Sequence, residues 1–305
     1  MPLPDPDDLA VFLQVTRHAS FSAAARELHL SPKLVSSRIA RLESTLGTSL
    51  FERNTRNLRI TDEGRALAGH ARAALALMED MHELAASCRR ELRGTIRITA
   101  PTPFGRKYVA PAIADFHRLH PQVRFELRLS DQVQDLYAGD LDLAIRMGAL
   151  TDSRLVARRV ATNRRVLVAA PDYLARHGTP SRPEQLAGHQ CLVFAYPGLL
   201  QDSWPLRRGR REQAIAIHGA LSSDSGDVLH AWCMAGLGIS LRETWDVHEA
   251  LRSGRLLRVL PEWEVRPSQI NLVRARREPV PRRLAELMDF LLERWRGAPW
   301  DAEPA

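Results

Sequence analysis

The chain has 305 residues, which suits two or three domains better than one core. Its 45% hydrophobic content is that of an ordinary globular protein, and no apolar run approaches the roughly 18 residues a membrane span needs. The start, Met1-Pro2-Leu3-Pro4-Asp5, lacks the basic and apolar regions of an export signal. Cys88, Cys191 and Cys233 are odd in number and scattered, so the expected setting is a reducing cytoplasm with no disulfide framework. The net charge of +7, nearly all of it arginine, leans weakly toward polyanionic partners.

The first expected helix is capped by Asp7 and carries Leu9, Phe12 and Leu13 inward. Ser20 or Ser22 opens a second, short helix with Phe21, Ala24, Ala25 and Leu28 at i, i+3, i+4 and i+7. After a turn at His29, Ser31-Pro32 is a strong helix start. Serine serves as N-cap, and proline at the first helical position gives up an N–H that has no partner there. Val35, Ile39, Leu42 and Leu46 then form one apolar stripe, and Gly47 closes the helix.

At about 100° per residue, Lys33, Ser36, Ser37, Ala40 and Arg41 point away from that stripe, with Arg38 on its flank. Short hydroxyls and long cations with no acid among them are what the major groove of duplex DNA requires. A plain solvated face is the alternative. Leu50 to Thr61 reads as two short strands around an Asn-rich turn, with Leu50, Phe51, Leu58 and Ile60 inward and Arg53, Arg56 and Arg59 outward. Such a basic hairpin is a wing, suited to the minor groove or the flanking backbone. From Arg26 to Arg59 seven basic residues stand against three acids.

The runs Ser20-Phe21-Ser22-Ala23-Ala24-Ala25-Arg26-Glu27-Leu28, Leu30-Ser31-Pro32, Leu50-Phe51-Glu52-Arg53 and Leu58-Arg59-Ile60-Thr61-Asp62-Glu63-Gly64 resemble the DNA-binding region of LysR-type transcriptional regulators. The resemblance is in register over about sixty residues and continues more loosely to near Arg296. It implies a DNA-binding dimer or tetramer with a C-terminal effector-binding domain. Promoter DNA, a small-molecule effector and RNA polymerase are the expected partners, in a bacterial cytoplasm. The DNA-binding set is then Ser31, Pro32, Lys33, Ser36, Ser37, Arg38, Arg41, Arg53 and Arg56. One departure is that Ser37 stands where many relatives have a cation and Lys33 where a small residue is common, so operator preference does not carry over.

Thr61 is the expected N-cap of a long helix whose Leu67, Ala71, Ala74, Leu75, Met78, Met81 and Leu84 form an apolar stripe. The resemblance implies an antiparallel dimerisation helix; the alternative is that it packs within its own chain. From Gly94 onward strands and helices alternate. Thr95–Thr99, Val123–Leu129 and Leu141–Ile145 are expected strands, with a turn at Pro101–Gly105, a helix over Arg106–His120 and a short helix near Val133–Ala138. This β-α-β-α-β order implies a parallel sheet. A second block has strands at Val166–Ala170, Cys191–Phe194 and Ala214–His218 and a helix over Gly226–Ala235. Ile270–Arg274 and a helix from Val280 to Trp295 return to the first block.

The expected architecture is therefore α+β and multidomain. A winged helix-turn-helix spans 1–61 and a linker helix 62–92. A bilobal α/β domain like that of periplasmic binding proteins spans 93–305, with lobe 1 at about 93–161 and 268–296 and lobe 2 at about 162–267. Ligands belong in the cleft at strand C-terminal ends. The expected effector-binding residues are Pro101, Thr102, Pro103 and Phe104 at a helix start suited to a carboxylate, with Asp131, Arg146, Gly148, Phe194, Asp224 and Ser225; Tyr196 also could face the cleft. Arg146 either receives a carboxylate with its guanidinium fork or pairs with Asp140 or Asp142. Asp131 and Asp224 could equally be turn or cap residues. No catalytic motif, metal set or cofactor is expected, and His117 with His120 reads as a solvated helix face. The alternative function is a small-molecule-binding protein or enzyme of the bilobal fold with an accessory DNA-binding module.

Overall fold

The structure, a computed structural model, describes residues 3–54, 57–86, 91–132, 136, 141–148, 153–196, 199–276, 279–298 and 300. The chain divides into two compact units, one built on Met1–Gly94 and one on Thr95–Gln134 with Leu143–Ala305.

The first unit contains α1 (Pro6–His18), α2 (Phe21–Glu27), α3 (Pro32–Leu46), the strands β1 (Phe51–Asn54) and β2 (Asn57–Ile60), and α4 (Asp62–Ala86). Local chemistry sets each boundary. Asp5, not Asp7, caps α1: its carboxylate accepts from the Asp7 N–H at 2.9 Å, which lets Pro6 take the first helical position. Ser20 accepts from Ala23 N–H and Ser31 from Leu34 N–H, both at 3.2 Å. Gly47 ends α3 at φ 69°, a left-handed conformation that glycine adopts at little cost. Thr61 Oγ1 accepts from Gly64 N–H at the start of α4.

The apolar stripes meet where their periodicity sends them. Phe12, Val15, Val35, Ile39 and Leu42 are fully buried together with Leu50, Phe51 and two alanines of α4, Ala68 and Ala71. Phe51 packs edgewise on Phe12 and Phe21, with ring centroids 5.6 and 6.0 Å away. The hairpin pairs antiparallel in the register Glu52↔Arg59 and Arg53↔Leu58, which keeps Leu58 against the core. Gly64 permits close approach of α4, since a Cβ there would lie 2.5 Å from the Leu50 carbonyl oxygen.

The second unit begins with β3 (Gly94–Ala100), followed by α5 (Thr102–Phe104), a π-helical turn at Gly105–Val109 and α6 (Ala110–Leu119). Then come β4 (Val123–Leu129), β5 (Leu143–Met147), β6 (Leu155–Asn163), β7 (Arg165–Ala169), α7 (Pro171–His177), β8 (Cys191–Tyr196), β9 (Leu199–Leu200), β10 (Ser203–Arg208), β11 (Arg211–Ala216) and β12 (Ser222–Ser223). The chain ends with α8 (Gly226–Met234), β13 (Ile239–Glu243), α9 (Thr244–Arg252), β14 (Leu257–Val259), β15 (Ser268–Ala275) and α10 (Arg282–Arg294).

These elements form two lobes. One sheet has the order β4-β3-β5-β15-β6 and the other β12-β8-β13-β7-β14, with β9 on β8. The chain passes between the sheets at Asn163–Arg165 and again before Ser268. The parallel sheet expected from strand order is only partly found. β3 and β5 are parallel, as are β8, β12 and β13, but β15 runs antiparallel to β5 and β6, and β7 antiparallel to β13 and β14. The physical reason is the double crossing: a strand that returns from the other lobe enters the sheet from the opposite end.

Other local expectations shift as well. The turn expected at Pro101–Gly105 is instead the first turn of a helix, because Pro103 falls at a position where its missing N–H costs nothing. The strand expected at Ala214–His218 is β11, which ends at Ala216 and forms a hairpin with β10. The helix expected near Val133–Ala138 lies outside the described residues apart from Leu136.

Buried aromatics hold the second unit together. Phe104 is fully buried, with the rings of Tyr108, Trp245, Trp295 and Trp300 at centroid distances of 5.0 to 5.7 Å. In the first unit, Phe12→Ala is expected to cost about 3–5 kcal/mol. A fall in the denaturant midpoint of that unit, followed through its helical signal, is the measurement.

Candidate functional site

In the first unit, α3 presents Lys33, Ser37 and Arg41 to solvent, with Ser36 and Arg38 half-buried. Acids of α1 divide these cations into two groups. Asp8 is only 1% exposed, and a buried carboxylate requires a partner. Arg41 donates to it from Nε and from a terminal nitrogen, both at 2.5 Å, and reaches Asp5 at 3.3 Å. Arg38 lies 3.2 Å from Asp7 and 3.6 Å from Asp8. The hydrogen bond from Asp8, then its charge, raise the Arg41 pKa further. Lys33 has no ion pair among the described residues. Leu34 beside it is 40% exposed, an apolar group on a polar face that sequence reasoning did not select. Ser31 and Pro32 are exposed at the helix start, Arg53 lies on β1, and Arg56 is outside the described residues.

On α4, Leu77, Met78 and Met81 are exposed, while Ala68 and Ala71 face the core of the same unit. The helix therefore packs within its own chain near its start and leaves an apolar surface further along.

In the second unit a cleft of about 540 Å³ lies between the two lobes. Of the expected residues, Pro101, Pro103, Asp131, Arg146, Gly148 and Phe194 line it. Phe104 does not; its ring is used in the aromatic core. Asp224 and Ser225 precede α8 without lining the cleft, and the Tyr196 side chain is outside the description. Thr102 contributes its backbone, because its N–H donates to Asp131 Oδ1 at 2.6 Å. The other carboxylate oxygen of Asp131 accepts from Gly226 N–H, at 2.8 Å, in the opposite lobe.

Sequence reasoning missed much of the second wall. Arg165 and Glu243 are cross-strand partners on β7 and β13, and both line the cleft with Trp204, Leu241, Arg242 and Trp245. The available signal was that Arg165 opens a strand next to a lobe crossing. Trp245 donates its indole N–H to Asn163 Oδ1 at 2.9 Å, and Asn163 donates to Ser268 Oγ, so one chain of bonds joins both crossings.

Behind that wall Arg242 is buried and donates twice to Asp246 Oδ2, at 2.9 and 2.6 Å. His230 Nδ1 contacts the same oxygen at 2.9 Å. Burial alone would raise the Asp246 pKa, but the hydrogen bond with His230 and the charge of Arg242 prevail and hold it at about 2. Burial pushes the Cys191 and Cys233 thiols up to about 12, so neither is a reactive thiolate.

A capped helix with a polar outer face beside a hairpin, together with a bilobal cleft domain, defines a DNA-binding regulator with a ligand-sensing domain. Residues 6–65 match the family model described as bacterial regulatory helix-turn-helix protein, lysR family, and residues 89–296 match the LysR substrate binding domain. The HTH-type transcriptional regulator DmlR of Escherichia coli K12 is 38% identical over 289 residues, covering 95% of this chain and 94% of DmlR. The structure of CrgA, a LysR-type transcriptional regulator from Neisseria meningitidis, superposes with a TM-score of 0.62 at 33% identity, covering 94% of this chain and 98% of CrgA. The full-length Vibrio cholerae virulence activator AphB gives 0.63 at 28%, covering 95% and 99%. The chain belongs to the LysR family of transcriptional regulators. No helix among the described residues is long and apolar enough to cross a membrane.

Asp246 provides a pH test. Its folded pKa of about 2 lies below the ordinary 3.8, so its contribution is present above 3.8 and lost as pH falls through about 2. Asp246→Asn is expected to lower stability at neutral pH by about 2 kcal/mol. The gap between the two proteins should close as unfolding is measured toward pH 2.

Proposed function

We propose that residues 1–61 read duplex promoter DNA, that 62–92 join two chains, and that 93–305 sense a small organic anion in the bacterial cytoplasm. The observation that carries the DNA assignment is the divided charge of α3. Arg38 and Arg41 are held by Asp5, Asp7 and Asp8, while Lys33, Ser36 and Ser37 stay on the open face. Lys33 suits phosphate or guanine, the two serines suit base edges or phosphate, and Leu34 suits a thymine methyl. Arg53 and Arg56 on the wing hairpin serve the flanking backbone. A pair of chains joined through Leu77, Met78 and Met81 of α4 would set two such helices on half-sites about 34 Å apart.

In the second unit, Arg146 on β5 lines the cleft together with Arg165, which supports an anionic effector. Such a ligand regulates only if it binds one arrangement of the lobes more tightly than another. RNA polymerase is the downstream partner of this scheme.

Two substitution experiments test the scheme. Lys33→Ala and Ser36→Ala are each expected to cost about 1–3 kcal/mol of affinity on duplexes selected by the wild-type protein. Thermal unfolding should not change. Unchanged footprints and affinities for both variants would remove α3 as the reading helix. Arg146→Ala should retain DNA binding and lose the response to an effector found by thermal-shift screening of small organic acids. A normal response would leave Arg146 as a structural ion-pair residue.

A further inference from the structure

We infer that Asp131 is a tethered ligand of its own cleft, a carboxylate that ties the two lobes together and that an effector must displace to regulate. This deepens the effector-cleft reading and rests on it. Asp131 follows β4 in one lobe. Its two oxygens accept from Thr102 N–H at 2.6 Å in the same lobe and from Gly226 N–H at 2.8 Å in the other. One side chain thus satisfies two backbone donors on different rigid bodies.

The contact is close and specifically shaped. A Cβ at Gly226 would lie 2.9 Å from Pro103 Cγ, 3.5 Å from a terminal nitrogen of Arg242 and 3.6 Å from Asp131 Oδ2. The lobes therefore meet at a point where only a glycine backbone fits, with the buried Arg242 cation adjacent to the Asp131 anion. Further bonds between the lobes come from the π-helical turn. Arg106 donates to Asp227 at 2.9 Å, and Tyr108 donates to the Trp245 carbonyl at 2.8 Å. None of Arg106, Tyr108 and Asp227 lines the cleft, whereas Asp131 and Gly226 do. A ligand can therefore reach the Asp131 tie.

Two consequences give the device its selectivity. A ligand carboxylate that takes the Thr102 and Gly226 donors must remove Asp131 from them, which converts binding energy into a change at the lobe contact. A carboxylate received at Arg146 alone leaves the tie intact and has no such leverage.

The test uses the full chain and needs neither effector nor DNA, so its outcome is independent of whether the cleft senses an organic anion. Amide hydrogen exchange is followed at Thr102 and Gly226 in wild type, Asp131→Ala and Asp131→Asn, with sodium formate as the probe and sodium chloride at equal ionic strength as control. In Asp131→Ala both amides should exchange about tenfold or more faster, and formate but not chloride should restore protection. Asp131→Asn keeps one acceptor oxygen and should protect only one of the two. Unchanged exchange in both variants, or formate acting no better than chloride, would overturn the tether. The regulatory half is read separately on wild-type-selected duplexes, where Asp131→Ala should alter the footprint. An identical footprint alongside altered exchange would show a structural tie without regulatory effect and overturn that half.

Discussion

A carboxylate withdrawn from water must find a cation or N–H donors, and that constraint organises both halves of this protein. At Asp8 it draws Arg41 and Arg38 to the base of α1 and so determines which part of α3 stays open. At Asp246 it gathers Arg242 and His230 behind the cleft wall. At Asp131 it spans the lobes. In each place an acid of one segment fixes a group of another, and the function-bearing surface is what remains unclaimed.

The two units solve different problems with this device. In the reading unit, neutralising two arginines narrows the cationic face to the first turns of α3, where Lys33, Ser36 and Ser37 stand. Recognition by short hydroxyls depends on accurate placement, and the cap at Ser31 and the buried stripe of Val35, Ile39 and Leu42 supply it. In the sensing unit, the cleft wall is rigid where Arg242 is locked to Asp246. It is adjustable where the only bonds are backbone N–H groups to a side chain.

Much of this was legible in the sequence, and the part that was not has physical causes. Helix periodicity, serine caps and the basic hairpin are local, so α2, α3 and the two wing strands could be read directly. The fold class and the cleft edge at Pro101, Asp131, Arg146 and Phe194 followed from strand ends. What stayed hidden was long-range. Asp8 reads as an ordinary first-turn acid until Arg41, distant in sequence, is placed beside it. Sheet direction depends on where the chain crosses between lobes, which no local pattern records. The helix start at Thr102 and the carboxylate of Asp131 were each read as ligand-facing; the structure joins them to one another. Arg165, Glu243 and Arg242 sit on a wall assembled from two separate stretches of chain.

The π-helical turn at Gly105–Val109 has a bearing on how this chain tolerates insertion and deletion. Such a turn holds one residue more than an α-helical turn over nearly the same rise. Removing a residue there would restore regular α geometry and rotate everything beyond it by about 100° relative to Thr102. Phe116, which lies in the core on α6, would swing toward solvent, while the start of the helix kept its place under Asp131. The extra residue thus acts as a phase adjuster between the end of the helix that meets the other lobe and the end that fills the core. Length variation should be confined to other segments.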